Sequence, residues 1–351
     1  MKDAMQETMA CGTCVEPGTF ALQERAKPRE APEGHRLVDI AAIGICGTDY
    51  HIFEGKHPFL NYPRVIGHEL SGHLADGPDA GRLVVVNPYL SCGTCRACRR
   101  GKPNCCSDIA VLGVHADGGM CARIVVPEQN LYPAEGLTPE QAAMVEFLAI
   151  GAHAVARSGC GAGDRVMVTG AGPIGIMSAA IARHAGARHV VITDVNDYRL
   201  GLAKRMGVTR AVNVTSEKLA DVQKELGMDE GFDVGLEMSG NPDAFNDMLA
   251  NMCHGGKIAM LGIPEKEMAI DWNTVVFNML TIKGIYGREM YETWYKMTVM
   301  LEGGLDIAPV ITHRFHFTEW ERGFDVMNSG KSGKVLLHWK RELPGGHEPG
   351  Q

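Results

Sequence analysis

The sequence contains no long uninterrupted apolar run. Its most apolar stretches, residues 143–156 and 166–182, are broken by Glu, His, Gly, Pro, Thr and Ser, which excludes a membrane-spanning helix. The amino terminus, MKDAMQETMA, lacks the basic flank and apolar core of a signal peptide. We therefore expect a cytoplasmic protein without a membrane partner.

A large excess of one charge is also absent. The formal net charge is −8 over 351 residues and 45% of the residues are hydrophobic, which excludes a disordered chain. An isoelectric point near 6.0 argues against nucleic acid as a partner. There is no internal repeat or low-complexity tract. At roughly 100–200 residues per domain, the length predicts about two domains.

Cysteines, in contrast, are abundant and unevenly placed. Disulfides are rare in the reducing cytoplasm, yet five of the eleven cysteines lie within residues 92–106. The spacing C-x2-C-x2-C-x7-C joins Cys92, Cys95, Cys98 and Cys106. Four such thiolates can hold a tetrahedral zinc ion with no ligand position open, which is typical of a structural site. The alternatives are a loop of reduced thiols, or Cys105 as the fourth ligand. Cys11 and Cys14 also have C-x2-C spacing, which in a lone pair is more often coincidence.

The remaining pattern divides the chain in two. Short strands separated by Gly, Pro and Asn predict a β-rich domain between residue 36 and about 130. Thr138-Pro139-Glu140 then begins a helix that runs to about Ala156. Beyond it strands and helices alternate, which is typical of a doubly wound parallel sheet in an α/β protein. The predicted strands are Leu37–Ala41, Leu83–Asn87, Arg123–Val126, Val166–Thr169, Val190–Asp194, Phe232–Met238, Ile258–Leu261, Ile282–Ile285 and Lys334–Trp339, and the predicted helices of the second half are Ile174–Ala185 and Tyr198–Met206.

These elements predict two domains of different chemistry. The first comprises residues 1–157, to which residues 305–351 return, and the second comprises residues 158–304.

A glycine-rich motif lies between a predicted strand and a predicted helix of the second half. Gly170-Ala171-Gly172-Pro173-Ile174-Gly175 has the pattern G-x-G-x-x-G, in which glycines let the backbone approach a pyrophosphate at a helix amino terminus. The next strand ends in Asp194, an acid that can accept hydrogen bonds from ribose hydroxyls and would repel a 2′-phosphate. NAD is therefore favoured over NADP, although Arg199 nearby weakens that preference. The alternative is a purely structural glycine-rich turn.

A second group of metal-binding residue types lies in the first half. Cys46 is followed by His68 and Glu69, a mixed set of thiolate, imidazole and carboxylate that suits a catalytic zinc with one position open. Zinc there would lower the pKa of a substrate hydroxyl, and Thr48 and His51 could carry the proton to solvent. Taken singly, such residues are more often core or surface residues. Glu146, a carboxylate within an apolar run, faces either a site or a solvated helix surface.

Together these motifs resemble the zinc-dependent, medium-chain alcohol dehydrogenases. CGTDYH, GHE, the four-cysteine segment and GAGPIG occur in that family's order, between about Val15 and Trp339. The resemblance implies a GroES-like β-rich catalytic domain and a Rossmann domain with a doubly wound parallel sheet.

The two halves resemble different relatives. Residues 167–335 resemble bacterial L-threonine 3-dehydrogenases through GAGPIGIMSAA, VVITDVNDYRLGLAKRMG, ELGMDEGFDVGLEMSG, IAMLGIP, IKGIYGREMYETWYKM and ITHRF. Residues 40–165 are more similar to zinc sugar-acid dehydrogenases of the L-galactonate type, through HPFLNYPRVIGHE, NPYLSCGTC, GKPNCC and VLGVHADGG.

The resemblance implies a role for each matching residue. Cys46, His68 and Glu69 would surround a catalytic zinc, with Glu146 as an exchanging ligand or a proton-relay group. Thr48 and His51 match the family's proton relay, and the four-cysteine segment matches its structural zinc site, giving two zinc ions per chain. The NAD contacts of the threonine enzymes match Ile174, Asp194, Arg199, Leu261, Gly262, Ile263, Ile285 and Tyr286. The relatives are usually homotetramers, so we expect a homo-oligomer.

The chain departs from the family pattern at two places. The segment between Gly72 and Val84 is several residues shorter, which trims a turn. After Glu146 the relatives tend to have Pro-Phe, whereas this chain has Phe147-Leu148. Without that proline the helix can continue and could re-aim the Glu146 carboxylate.

The leading functional hypothesis is an NAD- and zinc-dependent dehydrogenase that oxidises a small secondary alcohol to a ketone. L-threonine, oxidised at C3 to 2-amino-3-oxobutanoate, is the first choice of substrate. A sugar acid such as L-galactonate, or a polyol, is the alternative, because residues 51–68 come from the half that resembles those enzymes. A non-catalytic dinucleotide-binding protein would be expected to have lost the zinc ligands.

Overall fold

The computed structural model describes residues 7–57 and 60–339, which form two compact units. The first unit contains the described residues up to Glu146, together with Glu289–Glu302 and the described residues from Ile311 on. The second unit contains Phe147–Arg288 and Gly303–Val310.

The described residues form strands and helices with these bounds. The strands are β1 (Thr8–Glu16), β2 (Thr19–Ala26), β3 (His35–Ile45), β4 (Arg64–Val65), β5 (Glu69–Leu74), β6 (Leu83–Val86), β7 (Tyr89–Leu90), β8 (Ala110–Val111), β9 (Arg123–Pro127), β10 (Leu131–Pro133), β11 (Arg165–Thr169), β12 (His189–Asp194), β13 (Arg210–Asn213), β14 (Phe232–Glu237), β15 (Met252–Met260), β16 (Thr281–Gly284), β17 (Ile311–His316) and β18 (Lys334–His338). The helices are α1 (Gly47–Phe53), α2 (Arg96–Arg99), α3 (Pro139–Ser158), α4 (Pro173–His184), α5 (Asp197–Arg205), α6 (Leu219–Glu225), α7 (Pro242–Asn251), α8 (Trp272–Phe277), α9 (Glu292–Glu302) and α10 (Trp320–Asn328).

A seven-stranded sheet forms the body of the first unit. Its strand order is β10-β6-β5-β3-β18-β17. β9 pairs with the first residues of β3, His35 to Asp39. β3 is long and buried over most of its length, so apolar side chains such as Ile43 and Val38 pack on both of its faces. β18 comes from the far end of the chain and pairs antiparallel with β3. A second sheet, β2-β1-β4, packs into the same apolar core.

The second unit contains six parallel strands in the order β13-β12-β11-β14-β15-β16. The first strand of this sheet, β11, lies in its middle. β12 and β13 are added on one side of β11 and β14 to β16 on the other, so the order of strand addition reverses between β11 and β14. In such doubly wound sheets ligands bind outside the carboxyl ends of the strands at this switch point. The predicted combination of a β-rich domain and a doubly wound parallel sheet is confirmed.

The helix α3 is continuous at the point where the family pattern has a proline after Glu146. A capping box begins it, since the Gln141 N–H donates to the Thr138 hydroxyl at 3.2 Å and the Thr138 N–H donates to Gln141 Oε1 at 2.9 Å. The helix then continues without interruption past Glu146 to Ser158. Within the described residues, no helix combines the length and the hydropathy that crossing a bilayer requires.

Candidate active site

The pairing of β3 with β5 brings the predicted catalytic metal ligands together. Cys46 directly follows β3, and the antiparallel register places Gly44 opposite Glu69, the first residue of β5. One ligand atom each from Cys46, His68 and Glu69 lies within 4.8 Å of the others. A Cβ on Gly44 would lie 2.0 Å from Glu69 Oε2, so only glycine leaves room for that carboxylate.

Asp49 organises this group from the first turn of α1, and the sequence motifs did not identify it. Its fully buried carboxylate accepts the Cys46 N–H at 2.9 Å and the Gly67 N–H at 3.3 Å. It also lies 3.4 Å from His68 Nδ1, a buried nitrogen that makes no hydrogen bond to any described residue. Burial alone would lower the pKa of His68, but the charges of Asp49 and Cys46 raise it well above its usual value.

A buried ion pair lies on the other side of the group. Lys334, the first residue of β18, contacts the Glu69 carboxylate, and both side chains are almost completely buried. Burial would lower the pKa of Lys334, but the charge of Glu69 raises it, so the lysine is protonated. The carboxylate of Glu146, only 1% exposed, lies near enough to act on both partners.

The donor set of this cluster fits a divalent cation. A thiol, an imidazole and a carboxylate, from Cys46, His68 and Glu69, lie together, and His68 and Glu69 are buried. Buried charged groups are costly unless they are paired or bound to a metal. A set of thiolate, imidazole and carboxylate matches zinc, and three ligands leave the fourth position of a tetrahedron to substrate.

Glu146 is held by Tyr89, a further residue that the motifs did not identify. The Tyr89 hydroxyl lies 3.3 Å from Glu146 Oε1. Asn130 fixes the Tyr89 backbone by donating from Nδ2 to its carbonyl at 2.8 Å. The Tyr89 ring meets Trp294 edge to face, with centroids 6.3 Å apart, and Tyr132 stacks on Trp294 at 6.0 Å. The rings of Tyr89, Trp294 and Tyr132 therefore form one aromatic cluster, and the Tyr89 hydroxyl of this cluster contacts the Glu146 carboxylate.

The predicted proton-relay residues lie on α1. Thr48 is half-buried and His51 is exposed. His57 and His115, which the motifs did not identify, have ring centroids 6.5 Å apart. Burial lowers the pKa of His57, and the neighbouring charges of His115, His51 and His68 lower it further, so these four rings share one region. The only available signal was their position in the stretches HPFLNYP and VLGVHADGG.

The four-cysteine segment forms a second, separate ligand group. One sulfur each of Cys92, Cys95, Cys98 and Cys106 lies within 4.8 Å of the others, whereas Cys105 is outside the group. Backbone N–H groups point at these sulfurs, as in the bond from Cys98 N to Cys95 Sγ at 3.4 Å. This bond and one from the backbone of Ser107 lower the pKa of Cys95 to about 6, whereas burial and the neighbouring thiols of Cys95 and Cys106 raise the pKa of Cys98 to about 12.

The glycine-rich motif joins β11 to α4 at the carboxyl edge of the parallel sheet. A Cβ on Gly175 would lie 1.8 Å from the Gly170 carbonyl oxygen, so the turn requires glycine there. Gly172 is the N-cap of α4, and a Cβ on it would meet nothing within 4 Å. Gly172, at the amino terminus of this twelve-residue helix, therefore leaves the space next to its Cα free, as the approach of a phosphate to a helix amino terminus requires.

Asp194 lies at the end of β12 beside this turn. Its Oδ2 accepts the Ala171 N–H at 2.6 Å and its Oδ1 accepts the Asn196 N–H at 2.8 Å. It lines a cavity of about 490 Å³ together with Gly170, Thr193, Val195, Val214, Ser239, Asn241, Asp243, Ala244 and Asp247. Three carboxylates therefore face one cavity of the size that holds small ligands.

The other predicted nucleotide contacts follow the carboxyl ends of neighbouring strands. Leu261, Gly262 and Ile263 come directly after β15, and Ile285 and Tyr286 come directly after β16. Ile174 lies in the first turn of α4, and Arg199 lies on α5, whose N-cap is Asn196. All of these residues thus belong to elements that meet at the same edge of the sheet.

Glu237, the last residue of β14, organises that edge and was not predicted. Its Oε1 accepts the N–H of Ser239 at 2.9 Å, the N–H of Gly240 at 3.0 Å and the Thr169 hydroxyl at 3.1 Å. It is completely buried. An acid at the end of the apolar strand FDVGLE was the available signal.

Comparisons with known proteins agree with this geometry. Residues 32–136 match the family model for the alcohol dehydrogenase GroES-like domain, and residues 173–302 match that for zinc-binding dehydrogenases. An L-threonine 3-dehydrogenase of Solibacter usitatus (strain Ellin6076) is 56% identical over 313 residues, which cover 86% of this chain and 92% of that protein.

Solved structures show the same fold over nearly the whole chain. A short chain alcohol dehydrogenase from E. coli CFT073, complexed with NADH, is 28% identical and has a TM-score of 0.88, covering 95% of this chain and 99% of its own. L-idonate 5-dehydrogenase from Escherichia coli K-12 is 26% identical with a TM-score of 0.87, at the same coverage of 95% and 99%. The chain therefore belongs to the zinc-dependent medium-chain alcohol dehydrogenases.

Proposed function

We propose that the protein oxidises L-threonine at C3 to 2-amino-3-oxobutanoate with NAD+ as hydride acceptor. The observation that carries the proposal is the buried group of Cys46, His68 and Glu69 in a chain that also has a nucleotide-binding sheet edge. The choice of threonine as substrate is supported by the L-threonine 3-dehydrogenase of Solibacter usitatus, which is 56% identical to this chain.

The residues of the site divide the work of such an oxidation. When bound to Cys46, His68 and Glu69, zinc supplies a Lewis acid that lowers the pKa of the substrate hydroxyl, and NAD+ supplies the hydride acceptor. Asp49 lies beside the His68 ring, and Lys334 holds the Glu69 carboxylate. These contacts, made to the ligand side chains rather than to the metal, fix the orientation of the ligands before the substrate binds.

The released hydroxyl proton requires a path to solvent. Thr48 is half-buried and His51, one helical turn further on α1, is exposed. The Thr48 hydroxyl can pass the proton on, and the His51 imidazole can hold it at a ring nitrogen and release it to water. Glu146, held by the Tyr89 hydroxyl, would act as an exchanging ligand or a proton-relay group.

The cofactor in this proposal is NAD rather than NADP, and each chain binds two zinc ions. Asp194, Asp243 and Asp247 line one cavity, and their charge opposes a 2′-phosphate. The two metal-binding groups found in the described residues support two zinc ions, one catalytic and one structural.

The division of labour in the chain is part of the same proposal. Residues 1–157 with 305–351 would form the zinc-binding catalytic domain, and residues 158–304 the NAD-binding domain. The protein would act as a cytoplasmic homotetramer. Large apolar side chains exposed on and after α8 support the assembly.

Oxidation of a sugar acid or polyol is the second candidate. It is favoured by His57 and His115, which lie near His51 and His68 and come from stretches that resemble the L-galactonate type. The likeness to L-idonate 5-dehydrogenase supports it more weakly, at 26% identity.

A parallel assay of NAD reduction decides between these candidates. The zinc-loaded enzyme is given L-threonine, L-galactonate, a polyol and 2,3-butanediol, and kcat/KM is measured for each. We expect L-threonine to exceed the others by at least tenfold. A higher kcat/KM for L-galactonate would replace threonine by the sugar acid. Turnover of none of the four would contradict both candidates.

A further inference from the structure

Two cysteines without a role in catalysis face each other in the first unit. Cys11 on β1 forms an antiparallel bridge with Cys121. The neighbouring Gly12 N–H donates to the Met120 carbonyl at 2.7 Å, so the two cysteines occupy a non-hydrogen-bonded position. Opposed residues at such positions have Cα atoms roughly 4.5 Å apart, which lies within the range of roughly 4.4–6.8 Å that a disulfide spans.

The surroundings of the two thiols differ in a way that favours reaction. The neighbouring Cys121 thiol lowers the pKa of Cys11, burial opposes this, and the charge of Arg25 lowers the pKa further. The Cys11 thiol, together with burial, raises the pKa of Cys121, and the Cys121 thiol donates to the Arg123 carbonyl at 3.3 Å. Cys11 is thus the better nucleophile, and the strand register places Cys121 opposite it.

Cys14 provides an internal comparison on the same strand. It is also completely buried, but no cysteine lies opposite it, because its register partners are Phe20 and Arg64. Burial raises the pKa of Cys14 to about 11, which makes the thiol unreactive. A buried position on β1 therefore does not make a cysteine reactive. The feature that distinguishes Cys11 from Cys14 is its pairing with Cys121.

The pair is connected to the candidate zinc site through a short backbone ladder. Gly118 donates to the Val65 carbonyl at 2.8 Å, Met120 to that of Ile66 at 2.9 Å, and Gly119 to that of Gly67 at 2.9 Å. Gly67 directly precedes His68. The segment that ends in Cys121 therefore supports the backbone that presents a predicted metal ligand.

We propose that Cys11 and Cys121 form a redox-active dithiol that a hydroperoxide oxidises to an intramolecular disulfide. The Cys11 thiolate attacks the terminal peroxide oxygen and breaks the O–O bond, giving a sulfenic acid and an alcohol or, from hydrogen peroxide, water. The Cys121 thiol then attacks the sulfenic sulfur, forms the S–S bond and releases water. The two sulfurs lose two electrons and the peroxide gains them, and a dithiol reductant restores both thiols.

The disulfide would lower activity reversibly. An S–S bond of roughly 2.05 Å is much shorter than the distance between two thiols in contact. β1 and the segment ending at Cys121 must therefore move towards each other when the bond forms. That segment holds Gly67 through its backbone hydrogen bonds, so the shift reaches His68. Cys11 and Cys121 are at most 3% exposed. We therefore expect a small oxidant such as hydrogen peroxide to reach their sulfurs and a bulky reagent to be excluded.

Disulfide mapping on the zinc-loaded protein tests the proposal. The protein is treated with hydrogen peroxide, its free thiols are alkylated, and its peptides are analysed by mass spectrometry without reduction, while released zinc is measured with a chelating dye. We expect a peptide pair joined through Cys11 and Cys121 before zinc is released. The pair should persist in Cys14→Ser and disappear in Cys11→Ser and Cys121→Ser. The bulky disulfide reagent DTNB should leave both thiols unmodified in the native protein.

The inference is overturned if Cys11 and Cys121 remain reduced while Cys92, Cys95, Cys98 and Cys106 oxidise and release zinc. Its second part, the effect on His68, is overturned if Cys121→Ser loses as much NAD-reducing activity on oxidation as the wild type does. We expect the wild type to lose at least half of its kcat and to regain it with dithiothreitol. Disulfide mapping of the wild type requires neither a substrate nor a variant that folds, so its outcome is independent of the proposed function.

Discussion

Around Cys46, the predicted site residues His68, Glu69 and Glu146 each contact a partner to which the sequence motifs assigned no role. Asp49 contacts the His68 ring, Lys334 contacts the Glu69 carboxylate and Tyr89 contacts the Glu146 carboxylate. Such partners fix the orientation and charge of metal ligands and often matter nearly as much as the ligands. The reactivity of the site therefore depends on residues drawn from β7, α1 and β18.

The spacing of Cys46, His68 and Glu69 in the sequence suggested a metal site because these three residue types bind zinc and lie close together in the chain. Lys334 could not be predicted in this way, because 265 residues separate it from Glu69. Only the antiparallel pairing of β18 with β3 brings them together. A contact that depends on tertiary pairing leaves no local signal in a single sequence.

Replacing Cys46 with serine tests the assignment of the catalytic metal. We expect Cys46→Ser to lose NAD-reducing activity by at least a hundredfold and to contain one zinc ion per chain instead of two. NAD binding, measured by fluorescence, should be unchanged, because the predicted nucleotide contacts lie in the second unit.

The matched control is Cys105→Ser. Cys105 is exposed and outside both ligand groups, so this variant should keep two zinc ions and full activity. If Cys46→Ser retains two zinc ions, or if zinc can be removed from the wild type without loss of activity, the catalytic assignment is wrong.

Asp194 tests the choice of cofactor. We expect Asp194→Asn to weaken NAD binding by about 10- to 100-fold, because hydrogen bonds to a charged acceptor contribute about 1.5–3 kcal/mol. NADP binding should weaken less or improve, since a charge that repels the 2′-phosphate is removed. The dissociation constants of both nucleotides, measured by isothermal titration, provide the comparison.

Asp243→Asn serves as the control, because Asp243 lines the same cavity but lies on α7 rather than at the end of β12. It should change the preference for NAD less than Asp194→Asn does. An equal loss of affinity for NAD and NADP in Asp194→Asn would remove the ribose role of this carboxylate.

Elements predicted from regular patterns were predicted best. The strands β11, β12 and β14 are short apolar runs bounded by glycine or polar residues, and their predicted limits agree with the structure within one residue. β15 begins at Met252 rather than at the predicted Ile258, because Gly255 and Gly256 interrupt its apolar pattern. α6 to α10 were not predicted, although α7 and α10 have an amphipathic pattern and α7 begins with the helix-start residues Asn241 and Pro242.

The start of α3 is attached to the far end of the chain by a charged cluster. Arg314 on β17 donates two hydrogen bonds of 2.8 Å to the Glu140 carboxylate, and His338 Nε2 on β18 lies 3.0 Å from it. Burial alone would raise the pKa of Glu140, but His338 and Arg314 outweigh it and lower the pKa to about 2. The carboxylate is thus stabilised in its charged form in the folded protein.

This cluster predicts a pH-dependent loss of stability. Because the folded pKa of Glu140 is below the unfolded value of 4.5, its contribution is complete above pH 4.5 and is lost as the pH falls towards 2. We expect Glu140→Gln to lower the free energy of unfolding by about 1–3 kcal/mol at pH 7. The difference from wild type, measured by urea unfolding, should shrink below pH 4.5.

Glu292→Gln is the control, because Glu292 forms an exposed pair with Lys296 on α9, and such surface pairs contribute little. A difference between Glu140→Gln and wild type that stays constant from pH 7 to pH 3 would show that Glu140 stabilises the fold by packing and not by charge.

At the scale of the whole molecule, the composition of the surface points to assembly. α8 has no buried side chain within the chain, although its sequence, WNTVVF, is largely apolar. Trp272, Phe277 and the following Met279 are 61%, 78% and 76% exposed. Beside them in sequence, β16 lies at the edge of its sheet and, among the described strands, pairs with β15 alone. Exposed apolar patches and open strand edges are typical of protein–protein interfaces.

We therefore expect this surface to be covered by a second copy of the chain. Burying each of these side chains would contribute about 1.5–3 kcal/mol, and Phe277→Glu would replace that gain by the cost of burying a charge. The wild type should elute as a tetramer in size-exclusion chromatography with light scattering, and Phe277→Glu as a smaller species. Leu22→Glu, which changes an exposed apolar residue on β2, should leave the oligomer intact. A Phe277→Glu protein that remains tetrameric would mean that α8 is not part of the interface.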